Sequence, residues 1–361
     1  MRSCFKSSLT ATLAACLALV APCWFAAAAA QTPGIQTAPT PVNTVRVAAV
    51  PPGGLAPDPV SIWTLQDENA SISSAKLTDR YYVNGLRLGW TSGTESTPAF
   101  LAPVARTLWG DGQMRVSFNL TQQIYTPADA SARVPPAGDR PYAGVLLGNF
   151  GLQQDTTTNR STLTLGLGVV GPAALGEEVQ NGFHDLIGQS HNNGWGTQLH
   201  NEPAVQITSG RVWRLDTGNL FGLETQALPE FEAGVGTVRV YALGGLTMRI
   251  GQGLDADYGV ARVEPGLSGG DAFRPTRPFA WYAFAGLDGQ AVAHDITLNG
   301  NVFQSSQSVK LVPFVGEVEG GVAIMAFGAR LTYTQVVQTQ EFRHQHGGPH
   351  QFGSLALSMR F

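Results

Sequence analysis

The sequence predicts an all-β protein, a transmembrane antiparallel β-barrel of about twelve strands with a short helix in one loop. Three observations carry that expectation: an export-type beginning, little charge combined with much glycine, and period-two alternation that runs to the last residue. Arg2 and Lys6 precede an apolar, alanine-rich run from Leu9 to Ala30. That is the basic, apolar, small-residue order of a secretory signal, with cleavage after Ala28 or Ala30. A retained anchor is disfavoured by Pro22 and the alanine-rich end. A lipoprotein signal at Leu13-Ala14-Ala15-Cys16 is disfavoured because apolar residues continue past Cys16. All three cysteines, Cys4, Cys16 and Cys23, lie in this segment, so the mature chain holds no disulfide even in a compartment that permits one.

The charged fraction is 13%, against about 25% in typical soluble domains. The chain has 43 glycines and no second apolar segment long enough for a spanning helix. A barrel needs few charges because its outer face meets lipid, and glycine suits its tight turns. A net charge of -4 without a basic stripe gives no footing for a nucleic-acid partner.

Residues 1–30 read as the signal, 31–59 as a proline- and alanine-rich linker, and 60–361 as one barrel domain. Strands are expected to begin near Val60, Arg80, Gly112, Arg140, Thr158, Pro203, Phe221, Val235, Phe279, Lys310, Ala329 and His350. Leu86, Leu88 and Trp90 alternate with Arg87, Gly89 and Thr91. Met114, Val116, Phe118 and Leu120 alternate with polar residues, as do Leu163, Leu165, Leu167 and Val169 with small and polar ones. Such alternation gives each strand one apolar and one wet face. The chain ends with Leu355, Leu357, Met359 and Phe361 on one face, similar to the terminal signal read by the barrel-assembly machinery. So narrow a barrel is filled by side chains and loops, and a monomer is expected.

Chemistry is expected first at His184. Leu175 to Gly188 reads as a short helix, which puts Gln180 and His184 on one face. An imidazole fixed in one tautomer can take a proton from water. Asp67, Glu68 and Asn69 close the first strand with oxygen donors of the kind calcium accepts, or mark a plain polar strand end. Arg140 fits a lipid phosphate through its planar fork, or an interior carboxylate. His344, His346 and His350 read as a solvated loop before a metal site.

An ordered set of motifs resembles the lipid A 3'-O-deacylase family of Gram-negative outer-membrane barrels. It comprises Glu68-Asn69, Asp79 to Tyr82 with Asn84-Gly85-Leu86, Ile124 to Pro127, and Gly138 to Gly144. Gly171-Pro172, Glu178 to Asn181 with His184, Gly194-Trp195, Asn201-Glu202 and the terminal Phe361 complete it. The resemblance implies hydrolysis of an ester-linked acyl chain of lipid A in the outer membrane, with calcium. It implies His184 as the base that activates water, supported by Asn69 and Gln180. The sequence departs from the family pattern at Ala70, where the pattern has Asp, and at Val83, where it has Thr. Ala132 stands where the third-strand loop carries a lysine, and the adjacent Arg133 is the candidate replacement. The alternatives are a non-catalytic barrel with a structural or binding role, and an outer-membrane phospholipase.

Overall fold

The computed structural model describes residues 54–73 and 80–361. The expected signal, most of the linker, the three cysteines and Asp79 lie outside the described residues. Alternating strands fold into one antiparallel sheet: β1 (Ile62–Asn69), β2 (Tyr81–Thr91), β3 (Gln113–Thr126), β4 (Ala143–Asp155), β5 (Asn159–Val170), β6 (Glu202–Trp213), β7 (Leu215–Leu220), β8 (Leu223–Gly236), β9 (Arg239–Gln252), β10 (Phe279–Asp295), β11 (Phe314–Ala326), β12 (Ala329–Gln338) and β13 (His350–Arg360). Neighbours in sequence pair with one another except β6 and β7, β1 pairs with β13, and β6 pairs with β8 to close the ring. β7 continues β6, since Val212↔Glu230 and Leu215↔Ala227 lie on one register against β8. Thirteen segments therefore make twelve staves. The break between β6 and β7 was not expected from sequence.

Alternation sorts the two faces as the sequence suggests. Leu88, Phe118, Leu120, Leu165, Leu167, Leu357 and Met359 are exposed on the outer wall, where lipid covers them. Thr64, Gln66, Glu68, Ser354 and Ser358 are buried on the inner face. The start of β1 and the end of β13 lie at one end of the barrel, where Ile62 pairs with Arg360. Asp58 is docked there between Arg115 (2.5 Å) and Arg360 (2.8 Å). The barrel unit accordingly starts at Leu55, inside the stretch read as linker.

The lumen is filled from that same end. Residues 253–278, between β9 and β10, run up inside the barrel and return. Arg262 pairs with Glu319 (3.0 Å), Glu68 (3.2 Å) and Glu317 (3.5 Å). Glu264, near the far end, accepts from Gln123 and Tyr125, both at 2.7 Å. Glu68 accepts from the backbone N–H groups of Val263 and Glu264 at 2.9 Å. Asp257 meets Arg249 and Arg330, and Asp271 meets Arg87. A polar cavity of about 200 Å³ remains beside this segment, lined by Asn119, Thr121, Gln206 and Thr208 among others.

Candidate functional site

The β5–β6 connection holds the expected helix, observed at Gly176–Ile187. Glu177 and Glu178 in its first turn favour its N-terminal dipole. Gly188 closes it in the left-handed conformation (φ 69°), a backbone state glycine adopts without strain. The helix is fixed to the outer wall of the barrel. Its first residue, Gly176, lies against Gly144 of β4, where a side chain would collide with the Trp195 ring. Trp195 packs with Tyr142, Val83 and Ile124. Gln122, on the same outward face as Ile124, donates to the Ala174 carbonyl (2.6 Å).

His184 is buried, and its Nδ1 lies 2.7 Å from the Ser190 carbonyl oxygen. A carbonyl only accepts, so Nδ1 carries the proton, and in the neutral imidazole Nε2 is the basic nitrogen. Gln180, on the same helix face, accepts at Oε1 from the Trp195 indole N–H (3.0 Å). An indole N–H only donates, which turns the Gln180 amide nitrogen away from Trp195. Asn181 anchors the return of the loop by accepting from the Asn192 backbone N–H (2.9 Å).

Asn69 ends β1 opposite Asn84 of β2. Its Oδ1 accepts from the Ser71 backbone N–H (2.7 Å) and hydroxyl (2.5 Å), so its amide nitrogen is the group left to face a substrate oxygen. Ala70 follows, its N–H bonded to the Val83 carbonyl (3.1 Å). On the outer wall, Gln180, one helical turn from His184, thus bonds Trp195, Trp195 shares a cluster with Val83, and the Val83 carbonyl accepts from Ala70, next to Asn69. Val83 belongs to the apolar cluster under Trp195.

Asp67 and Glu68 are separated by strand alternation. Glu68 faces the lumen and is held by Arg262, Tyr82 and two backbone N–H groups. Asp67 faces outward and accepts from Asn84 Nδ2 (2.7 Å). One ion cannot be held by both, and among the described residues no three His, Cys, Asp or Glu side chains gather around a cation position. This edge therefore does not fit a calcium site built from Asp67 and Glu68.

Arg140 is corrected as well. It is fully buried, donates to Glu341 (3.0 Å) and Thr297 (2.8 Å), and lies over the Tyr125 ring. Its interior carboxylate is the partner, and no lipid phosphate reaches it. Arg133 is exposed on the β3–β4 connection. The neighbouring Ala132 carbonyl lies against Gly194, 2.8 Å from where a Cβ there would stand, so this loop borders the His184 segment. The three late histidines do not cluster around an ion among the described residues; His350 is buried with its Nε2 3.0 Å from the Tyr82 carbonyl oxygen. Sequence reasoning missed Ser190, Ser71 and Asn84. Alternation would have flagged Asn84, which sits opposite Asn69.

A twelve-stave antiparallel barrel with an apolar outer wall and a polar, filled lumen defines an outer-membrane β-barrel. The family described as "Outer membrane protein LpxR" matches residues 13–361. The chain belongs to this LpxR family of Gram-negative outer-membrane β-barrels, the lipid A 3'-O-deacylases. LpxR from Salmonella typhimurium has the same fold, with a TM-score of 0.66 and 21% identity, over 83% of this chain and 100% of that one. The β-domain of the Bordetella autotransporter BrkA is more distant, with a TM-score of 0.39 and 11% identity, over 84% of this chain and 99% of that one. No curated protein sequence matches the chain.

Proposed function

We propose that this chain is an esterase that removes an ester-linked acyl chain from lipid A, with His184 as the general base. The observation that carries the reading is the Nδ1 contact to the Ser190 carbonyl. It fixes the tautomer whose Nε2 takes a proton from water, on a helix bound to the wall where lipid lies.

Water is a poor nucleophile until a base removes its proton as it attacks. The water oxygen bonds to the ester carbonyl carbon, and His184 becomes protonated. The amide N–H group of Asn69 is the donor for the resulting oxyanion, whose stabilisation is usually the largest single catalytic contribution, and Gln180, one turn from His184, supports the site from the helix. Collapse breaks the ester C–O bond, and the leaving alkoxide recovers the proton from His184. The products are a carboxylate and a free hydroxyl on the lipid.

A second reading, a non-catalytic barrel, rests on Ala70 and on Val83, whose side chain packs under Trp195 and offers no hydroxyl. Mass spectrometry of lipid A from Gram-negative cells producing the chain, with and without added calcium, tests both. His184→Ala should lower acyl release by about 100-fold or more, the usual worth of a general base, with the barrel still folded. Parent-rate release by His184→Ala sinks the assignment of the base. Unchanged lipid A from the parent favours the second reading, and acyl release from phospholipid alone favours a phospholipase.

A further inference from the structure

Asp67 projects from the barrel between two outward leucines, opposite Leu86 of β2 and Leu355 of β13. A charge on the lipid face is destabilising at mid-bilayer and tolerated only toward the interface. Asp67 stands two residues inside Asn69, where β1 ends, or about 7 Å below the rim at the rise of a strand. The side chain is nevertheless buried, at 5% exposure, and residues 70–73 of the β1–β2 connection run over the outer wall nearby. In that connection the Ile72 carbonyl accepts from the Tyr333 hydroxyl (3.4 Å), and Ser73 Oγ accepts from Gln335 Nε2 (3.1 Å).

Asn84 Nδ2 donates to Asp67 Oδ1 (2.7 Å) and to the Glu68 carbonyl (3.4 Å). Both amide hydrogens are therefore engaged, and Asn84 Oδ1 points away from them, buried and without a hydrogen-bond partner. A buried acceptor left unmet is destabilising until a donor reaches it. With Asp67 ionised, the pair thus presents acceptor oxygens and no spare N–H.

We propose that Asp67 and Asn84 form a recognition subsite on the outer wall for a hydrogen-bond donor of the substrate, a hydroxyl or amide N–H of a sugar headgroup. The proposal rests on the esterase reading for its substrate class. Acceptors alone repel a phosphate and select donors, which gives the subsite a preference for a polyhydroxylated lipid over a simple ester. It also returns a carboxylate to the outer wall of a chain in which Ala70 stands where the family pattern has Asp.

The test uses the full chain in detergent. Lipid A binding is measured in a His184→Ala background, where turnover does not interfere. Hydrolysis of lipid A is compared with that of a headgroup-free ester of the same acyl chain. Asp67→Leu matches the flanking leucines and should leave the barrel folded; Asp67→Asn keeps the shape and one acceptor. Asp67→Leu is expected to weaken lipid A binding about tenfold or more, as the loss of a charge-assisted hydrogen bond does. It should raise KM more than it lowers kcat, and reduce the preference for lipid A over the simple ester by a similar factor, with Asp67→Asn in between. Unchanged binding overturns the subsite and leaves Asn84 Oδ1 to an ordered water. Equal losses on both esters also overturn it, because Asp67 then acts on the reaction or the fold. A parent chain that binds lipid A through Asp67 but hydrolyses neither ester keeps the subsite and removes the esterase reading.

Discussion

Inside the barrel, Arg262 alone meets three carboxylates, and Asp257, Asp271 and Glu264 each have an arginine beside them. On the outer wall near the rim, His184, Gln180, Asn69 and Asp67 make directional hydrogen bonds. The lumen holds more charge, yet its charges are consumed in pinning residues 253–278. The outer wall holds less, and its hydrogen bonds fix the orientation of individual side chains. Density of charge therefore marks the scaffold in this molecule, and sparse oriented polarity marks the chemistry.

The comparison breaks most easily at Arg262. Arg262→Met leaves Glu68, Glu317 and Glu319 without their cation, and removing one partner of a buried pair costs about 3–5 kcal/mol. The unfolding free energy in detergent should fall by that amount, lowering the denaturant midpoint, while hydrolysis per folded molecule stays near the parent value. Lost hydrolysis with unchanged stability would instead place the lumen in the chemistry.

On the outer wall the expected ranking reverses. Trp195→Phe keeps a ring against Tyr142, now 4.9 Å away, but removes the N–H that orients Gln180. A tenfold fall in kcat, about 1.4 kcal/mol of barrier, is expected with little change in KM or midpoint. Steady-state kinetics alongside unfolding separates the two. A fall in stability without a fall in kcat would make Trp195 packing only.

The staves were legible because lipid outside and water-like polarity inside impose a strict period of two. The starts expected near Thr158, Phe279, Ala329 and His350 agree with β5, β10, β12 and β13. The internal segment was not legible. Residues 253–278 are rich in glycine and polar groups without a period, and their partners, such as Glu68 for Arg262, lie 194 residues away. The site was half legible. Helical spacing joined Gln180 to His184, but the carbonyl that fixes the histidine comes from Ser190, in a loop with no pattern. Asp67 and Glu68 are the instructive error, since adjacent residues on a strand point to opposite faces and were read as one edge.

Two arginines sharpen the boundary between scaffold and site. Arg140→Lys should lower the midpoint, because a lysine cannot reproduce the paired contacts to Glu341 and Thr297, and should leave the KM for lipid A alone. Arg133→Ala, on the exposed loop beside Gly194, should do the opposite. An exposed charge contributes about 0–1 kcal/mol, so KM should rise a few-fold, less at high salt, with no change in stability. Identical KM values for Arg133→Ala and the parent would remove that loop from substrate binding.

The smallest expected effect lies at the end far from the site. Burial pushes the Asp58 carboxyl up, but the hydrogen bond from Arg360 and the charge of Arg115 outweigh it and hold the group below its ordinary value of 3.8. A depressed folded value means that the stabilisation is fully present above the unfolded value and is lost as pH falls through the folded one. Above about pH 4 the docking of residues 55–59 should therefore be insensitive to acid, and below it the segment should loosen. Limited proteolysis of the folded barrel across pH 2.5–6 with an acid-active protease reads this directly. Asp58→Asn should be cleaved readily at every pH, with the barrel and its hydrolysis unaffected, since the strap lies at the opposite end from His184. Acid sensitivity that persists in Asp58→Asn would assign the docking to other groups and leave the two arginines without their role.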